Sequence, residues 1–185
     1  MAKIEPLAKF IFSYEGGFVN DSRDSGGATN CGVTIATWKA QGYDKDGDGD
    51  IDVADLKLIT KEDATTILRK NYWNRWKADE IEDQGIANIL VDWLWASGKS
   101  AITIPQQMLG VKVDGIVGPK TIYALNRLLP EYFFKKLKDR RQQYIYNVVK
   151  ASPAKRCFLK GWVRRNNALY HNCMIDNDGN MITWK

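Results

Sequence analysis

The chain is poor in the residues that staple or anchor a fold, with three cysteines, one histidine and five prolines among 185 residues. Cys31, Cys157 and Cys173 are odd in number and irregular in spacing, which argues against a disulfide framework. His171 beside Cys173 lacks the fourth ligand and the paired-cysteine knuckle of a zinc site, so the lone histidine reads as structural. No apolar run reaches the roughly eighteen residues that a membrane-spanning helix needs. The opening MAKIEPLAKFIFSYEGGFVN has neither an uninterrupted apolar stretch nor a small-residue cleavage site, so synthesis in the cytoplasm without a signal peptide is expected. Internal repeats and low-complexity linkers are missing too. What remains, at 44% apolar content, is enough for one substantial core.

The charge is divided. Met1–Ser97 carries 11 Lys and Arg against 17 Asp and Glu, while Gly98–Lys185 carries 16 against 5. The expected organisation is an acidic lobe over 1–97 and a basic helical half over 98–185, packed as one compact unit with a seam near Gly98. The basic excess sits in KKLKDRR (Lys135 to Arg141) and in Lys155, Arg156, Lys160, Arg164 and Arg165. Such a half suits a polyanionic partner such as an anionic envelope surface, and a solvated helix face is the competing reading. Nucleic acid is not an expected partner, and a monomer is expected.

Ile4, Leu7, Ala8, Phe10, Ile11 and Tyr14 recur at helical spacing, which predicts a helix over 4–15 that Gly16 ends. Turn residues over 17–34, closing in a short alternation, predict a loop and a small β-hairpin, followed by a brief helix over 35–41. Thr60 with Asp63 predicts a capped helix reaching about Asn74. Ile86, Ile89, Leu90, Trp93 and Leu94 form one buried stripe of a helix over 85–96. Pro119, Pro130 and Pro153 stand at favourable first positions of three later helices, the second reaching about Lys150 and the third about Leu169. Asp178-Gly179 between two apolar arms predicts a terminal hairpin.

The segment DKDGDGDIDVAD places Asp44, Asp46, Asp48, Asp50 and Asp52 at alternating positions around Gly49, with Asp55 closing the loop. Alternating oxygen donors around a glycine turn match a calcium loop, with Asp55 standing where the template has glutamate. Ca2+ is therefore the expected cation, structural or regulatory, held by Asp44, Asp46, Asp48, Asp50 and Asp55. The competing reading is a solvated acidic turn.

The stretch SYEGGFVNDSRDSGGATNCGVT sets one glutamate at the end of an apolar helix and follows it with glycines and polar side chains. A carboxyl group so placed is partly desolvated and can keep a proton for a leaving oxygen. Glycosidic cleavage needs such an acid and, across the ring, a carboxylate or an oriented water. Asp21, Asp24, Thr29, Asn30 and Thr34 are the local candidates for the second part.

The same residues resemble the signature of the glycoside hydrolase family 108 N-acetylmuramidases of phage endolysins and "secretion activator" proteins. The likeness continues through ATWKA, LITKEDATTILRKNYW, VDWLWASG and VKVDGIVGPKTIYAL, the last similar to the peptidoglycan-binding half of such enzymes. It covers most of residues 5 to 130. The resemblance implies a mainly α, lysozyme-like α+β fold with a small hairpin beside the cleft. It also places the catalytic acid at Glu15. Tailed-phage lysozymes use a Glu, Asp, Thr spacing that Glu15 and Asp24 match, while Thr29 falls one residue early and Asn30 occupies the expected place. Asp24 with Thr29 is the expected water-orienting pair, with Asp21 as alternative. Asp21, Asn30, Thr34 and Trp95 are expected to meet substrate, Trp95 and Ala96 departing from the Val-Asn pair of relatives. The acidic loop looks like an addition to the family pattern.

The reading implied is an endolysin that hydrolyses the β-1,4 bond between N-acetylmuramic acid and N-acetylglucosamine, with no cofactor for catalysis and peptidoglycan as partner. It would reach the wall through holin-dependent release or secretion-system export. A lytic transglycosylase and a non-catalytic, calcium-dependent wall-binding adaptor remain as alternatives.

Overall fold

The computed structural model describes residues 1–20 and 27–184. Helix α1 (Glu5–Tyr14) buries Leu7, Ala8, Phe10, Ile11 and Phe12, the face its apolar spacing predicts. It stops at Glu15, whose backbone turns extended (φ −85°, ψ 133°) while its N–H still reaches Ile11. Strands β1 (Thr29–Asn30) and β2 (Val33–Thr34) pair antiparallel, with Asn30 opposite Val33. The two residues between them, Cys31 and Gly32, both take positive φ (49° and 73°). That is the backbone of a two-residue hairpin whose twist suits its strands. Val19 bridges to Thr29 and ties the incoming chain to the hairpin.

Thr34 ends β2 and at once caps helix α2 (Ile35–Gln41), its hydroxyl accepting from the Thr37 N–H. The acidic loop then leads into α3 (Val53–Leu58), opened by a capping box of Asp52 and Asp55. The expected Thr60–Asp63 box opens α4 (Lys61–Leu68). Beyond Leu68 the expected helix widens into a π turn over Arg69–Trp73 and tightens to a 3₁₀ turn over Asn74–Trp76. The change of pitch buries Trp73 and Trp76 completely while Tyr72 stays at the surface of the core against Trp95.

Helix α5 (Gln84–Ser97), capped by Asp83, is the axis of the molecule. Every residue from Gly85 to Leu94 is buried, and α1, α6 (Ser100–Leu109) and α8 (Pro130–Ala151) pack on it. The chain leaves α5 at Gly98 in a conformation (φ 60°, ψ −142°) that glycine alone takes without strain. Helix α6 is not expected from the sequence, because Pro105 lies inside it. Gln106 from its far end is fully buried and pins the following loop, accepting from Gly115 N–H and donating to Asp114 and the Ile116 carbonyl.

Helices α7 (Pro119–Asn126) and α8 begin at their prolines as expected. The helix expected from Pro153 is split into a 3₁₀ segment over Pro153–Phe158 and helix α9 (Leu159–Asn167). None of those first six residues is buried, so no packed face holds them to an α pitch. The terminal hairpin forms from β3 (Cys173–Ile175) and β4 (Met181–Thr183) and lies against α1. The fold is mainly α with two small hairpins among the described residues, and one apolar core joins Leu7 and Phe10 of α1 and Trp93 of α5 to Phe133, Phe134 and Leu137 of α8.

Candidate active site

Glu15 leaves the last turn of α1 with its side chain 23% exposed, neither sealed in the core nor free in solvent. Two donors converge on Oε1: the indole Nε1 of Trp95 at 3.0 Å and Nη1 of Arg165 at 3.1 Å. Among the described residues, both hydrogen bonds to this carboxyl group end on that one oxygen. Trp95 comes from the last turns of α5 and Arg165 from α9, 150 residues from the glutamate.

The hairpin turn closes a third side. A Cβ at Gly32 would lie 2.6 Å from the Trp95 ring and 2.9 Å from Glu15 Cγ, so only glycine lets the backbone come this near. Its positive φ favours glycine independently. The glycine after Cys31 thus serves both to turn the hairpin and to press it against the carboxyl group.

Beneath Arg165 lies Asp92, 0% exposed. Its Oδ1 accepts from Arg165 Nη2 at 2.8 Å and Nε at 3.2 Å, and Arg141 Nη2 stands 2.7 Å from Oδ2 as a close ion pair off the hydrogen-bond direction. Burial alone would push the Asp92 carboxyl up, but Arg165 and Arg141 together hold it below the ordinary carboxylate range. Burial works against the charge of Arg165 as well, and Asp92 first, then Glu15, outweighs it and raises that guanidinium. Arg141, deeper still, is pulled down by burial against the opposing pull of Asp92. The planar head of Arg165 also rests over Tyr14 (5.3 Å) and Phe10 (5.8 Å). Its two edges serve two carboxylates while its face meets aromatic rings, a combination that lysine does not supply.

Asp21 and Asp24 lie outside the described residues. Thr29 sits on β1 paired with Thr34, its hydroxyl 3.5 Å from the Gly27 carbonyl. Asn30 is buried and spends its amide on the Leu56 and Lys57 carbonyls, fastening the hairpin to α3. The Thr34 hydroxyl is committed to capping α2. The structure therefore brings Glu15 and Trp95 together and turns the Asn30 and Thr34 side chains to scaffolding bonds. Of the aromatic group Tyr72, Trp73, Trp76, Trp93 and Trp95, the tryptophans other than Trp95 are wholly buried.

Sequence reasoning misses the roles of Arg165, Asp92 and Arg141. The available signal is Asp92 itself, a lone carboxylate inside the apolar stripe ILVDWLW, which requires a buried cation from elsewhere. Arg165 belongs to a basic run that reads as surface charge.

In the acidic loop, Asp44, Asp46 and Asp48 form one group and Asp50, Asp52 and Asp55 another, each with carboxylate oxygens within 4.8 Å of one another. Either group could hold a metal ion. Loss of solvent, then the neighbouring carboxylates, push Asp46 up, and the charge of Asp48 foremost pushes Asp50 up. Asp55 is buried, and its oxygens accept from the N–H groups of Lys45, Asp46 and Asp52, which hold it below the ordinary range. All three cysteines are free, and His171 pairs with Asp83 at 3.0 Å.

Residues 8–98 match the family model described as Glycosyl hydrolase 108, and residues 100–167 match one described as Predicted Peptidoglycan domain. Among solved structures the chain is similar to SagA of Brucella abortus, at 34% identity over 86% of this chain and 86% of that chain, with a TM-score of 0.69. No relative is found among curated proteins.

Proposed function

We propose, because this chain belongs to the glycosyl hydrolase 108 family and carries a peptidoglycan domain, that it hydrolyses the β-1,4 bond between N-acetylmuramic acid and N-acetylglucosamine with Glu15 as general acid. The chain is a glycoside hydrolase that acts on peptidoglycan. The observation that carries the finer reading is the cradle of Glu15: a part-exposed carboxyl group at a helix end with two N–H donors on one oxygen.

As Glu15 gives its proton to the leaving oxygen, negative charge grows on its carboxyl group. Trp95 and Arg165 already point at the oxygen that shares that charge, so no reorganisation is needed when the bond breaks. Asp92 fixes the Arg165 guanidinium by two bonds and leaves Nη1 for Glu15. On the opposite face of the sugar, Asp24 with Thr29 orients water or stabilises positive charge on the ring, with Asp21 as the alternative carboxylate.

The donor set of the acidic loop, carboxylate oxygens only, fits a hard divalent cation, and calcium is its ligand in this reading. Asp44, Asp46, Asp48 and Asp50 would hold it, with Asp55 at the close of the loop. Bound there it supplies charge neutralisation and order to the insertion, and no chemistry at Glu15.

Mass spectrometry of digested peptidoglycan tests the assignment. Fragments that end in reducing N-acetylmuramic acid are expected. Fragments lacking one water would mean transglycosylation, and a reducing N-acetylglucosamine end would mean the other glycosidic bond.

A further inference from the structure

Arg165 faces two ways. Besides holding Glu15, it lines a cavity of about 380 Å³ between α8 and the 3₁₀–α9 segment, a size suited to a small ligand. Ala96 and Ser97, the two residues after Trp95, line it too, so the cavity shares Arg165 with the cradle of Glu15 and adjoins the segment that carries Trp95.

Two features distinguish this cavity from a gap in the core. Arg141 lines it while only 3% exposed, and Nη1 of that guanidinium has no hydrogen-bond partner among the described residues, although Nη2 is engaged by Asp92. A buried donor without an acceptor marks a place where an acceptor belongs. Lys155 lines the cavity as well, so cations border it and no carboxylate side chain among the described residues does. The remaining wall is apolar. Phe158 and Trp162 stack on each other (centroids 5.7 Å apart, 22° between planes), and Ile145 and Val148 of α8 line the cavity as well. Phe158 is 57% exposed, unusual for a ring in a chain that buries four tryptophans completely.

The occupant that these walls call for is anionic at one end and carries small apolar groups. Peptidoglycan offers such a group beside the scissile bond, because each N-acetylmuramic acid bears a lactyl ether and a short peptide of alanyl methyl groups and free carboxylates. We propose that the cavity is the subsite for this peptide stem, a stem carboxylate meeting Arg141 and Lys155 and alanyl methyl groups packing on Phe158 and Trp162. The assignment rests on the glycosidase reading above and adds which part of the substrate the C-terminal half grips. In it, bond cleavage at Glu15 and stem binding are joined through one side chain, Arg165.

The test uses Glu15→Gln protein, which holds ligand without cutting it, and isothermal titration with N-acetylmuramyl-L-alanyl-D-glutamyl-L-lysine. Converting the stem carboxylates to amides is expected to weaken binding roughly tenfold, as is the double substitution Lys155→Ala, Phe158→Ala at two surface positions. Equal affinity for acid and amide, or no effect of the double substitution, overturns the subsite. In parallel, wild-type protein is given glycan strands with and without stems. A raised KM on bare strands with kcat nearly kept supports the subsite. Equal KM on both overturns it and leaves the glycosidase reading standing. Failure to cut either strand overturns that reading and the subsite with it.

Discussion

Two places in the molecule concentrate charge by opposite means. In the loop over 44–55, six aspartates lie close in sequence, five at or near the surface and Asp55 buried at its close, with mostly backbone N–H groups to answer them. Under Glu15, one aspartate is sealed inside and answered by two arginines from distant helices. The loop can satisfy its like charges by taking a cation from solution. The buried cluster has no such recourse, so its partners must be part of the chain and in place when the core closes. The first arrangement is adjustable by conditions and the second is built in.

Removing the built-in partner should cost most. Asp92→Asn leaves Arg141 and part of Arg165 buried without a counter-charge, and urea unfolding should show a loss of about 3–5 kcal/mol. The pH dependence follows from the same pair. The folded Asp92 carboxyl lies below its ordinary value of 3.8, so its contribution is complete above that value and is lost as pH falls through the lower, folded one. Acid unfolding of Asp92→Asn should therefore be less steep in that window than that of the wild type.

Arg165→Lys keeps a positive charge but cannot bond Asp92 twice and Glu15 once with a single ammonium group. A fall in kcat of roughly 10- to 100-fold that exceeds any rise in KM is expected from peptidoglycan kinetics, because the lost donor faces the acid. A change in thermal stability alone would show that Arg165 only braces the core.

The adjustable site should change stability less than the built-in one. Calcium at a hundred times its dissociation constant would stabilise the fold by about 2.7 kcal/mol, and a chelator should reverse the shift in melting temperature. Asp46→Asn with Asp48→Asn should remove the difference. Identical melting curves with calcium and chelator would make the loop a solvated turn.

The contrast also explains what can be read from the sequence. Glu15 at a helix end, the small hairpin within 17–34, the Thr60–Asp63 box and the aspartate loop are all local, each written within a few neighbouring residues. Short-range hydrogen bonding and backbone preference decide such features. The pairing of Asp92 with Arg165 spans 73 residues and depends on how α5, α8 and α9 pack. Arg164 and Arg165 are adjacent and chemically identical, yet one is exposed and bonds the Asn177 carbonyl while the other holds the acid. Helical phase relative to a core that the string does not display separates them. Asn30 and Thr34 are hard to place for the related reason that polar side chains beside a cleft and polar side chains fastening a hairpin look alike in a string. Helix α6 is hidden by Pro105, whose presence suggests a break that tertiary packing overrides.

If Glu15 supplies the proton for bond cleavage, Glu15→Gln should leave purified cell walls almost uncut. The substitution keeps the shape and an acceptor for Trp95 and Arg165 but cannot deliver that proton. Release of reducing sugar should fall at least about a hundredfold, with the unfolding midpoint and wall binding retained. Release within a few-fold of wild type would place the acid at another residue.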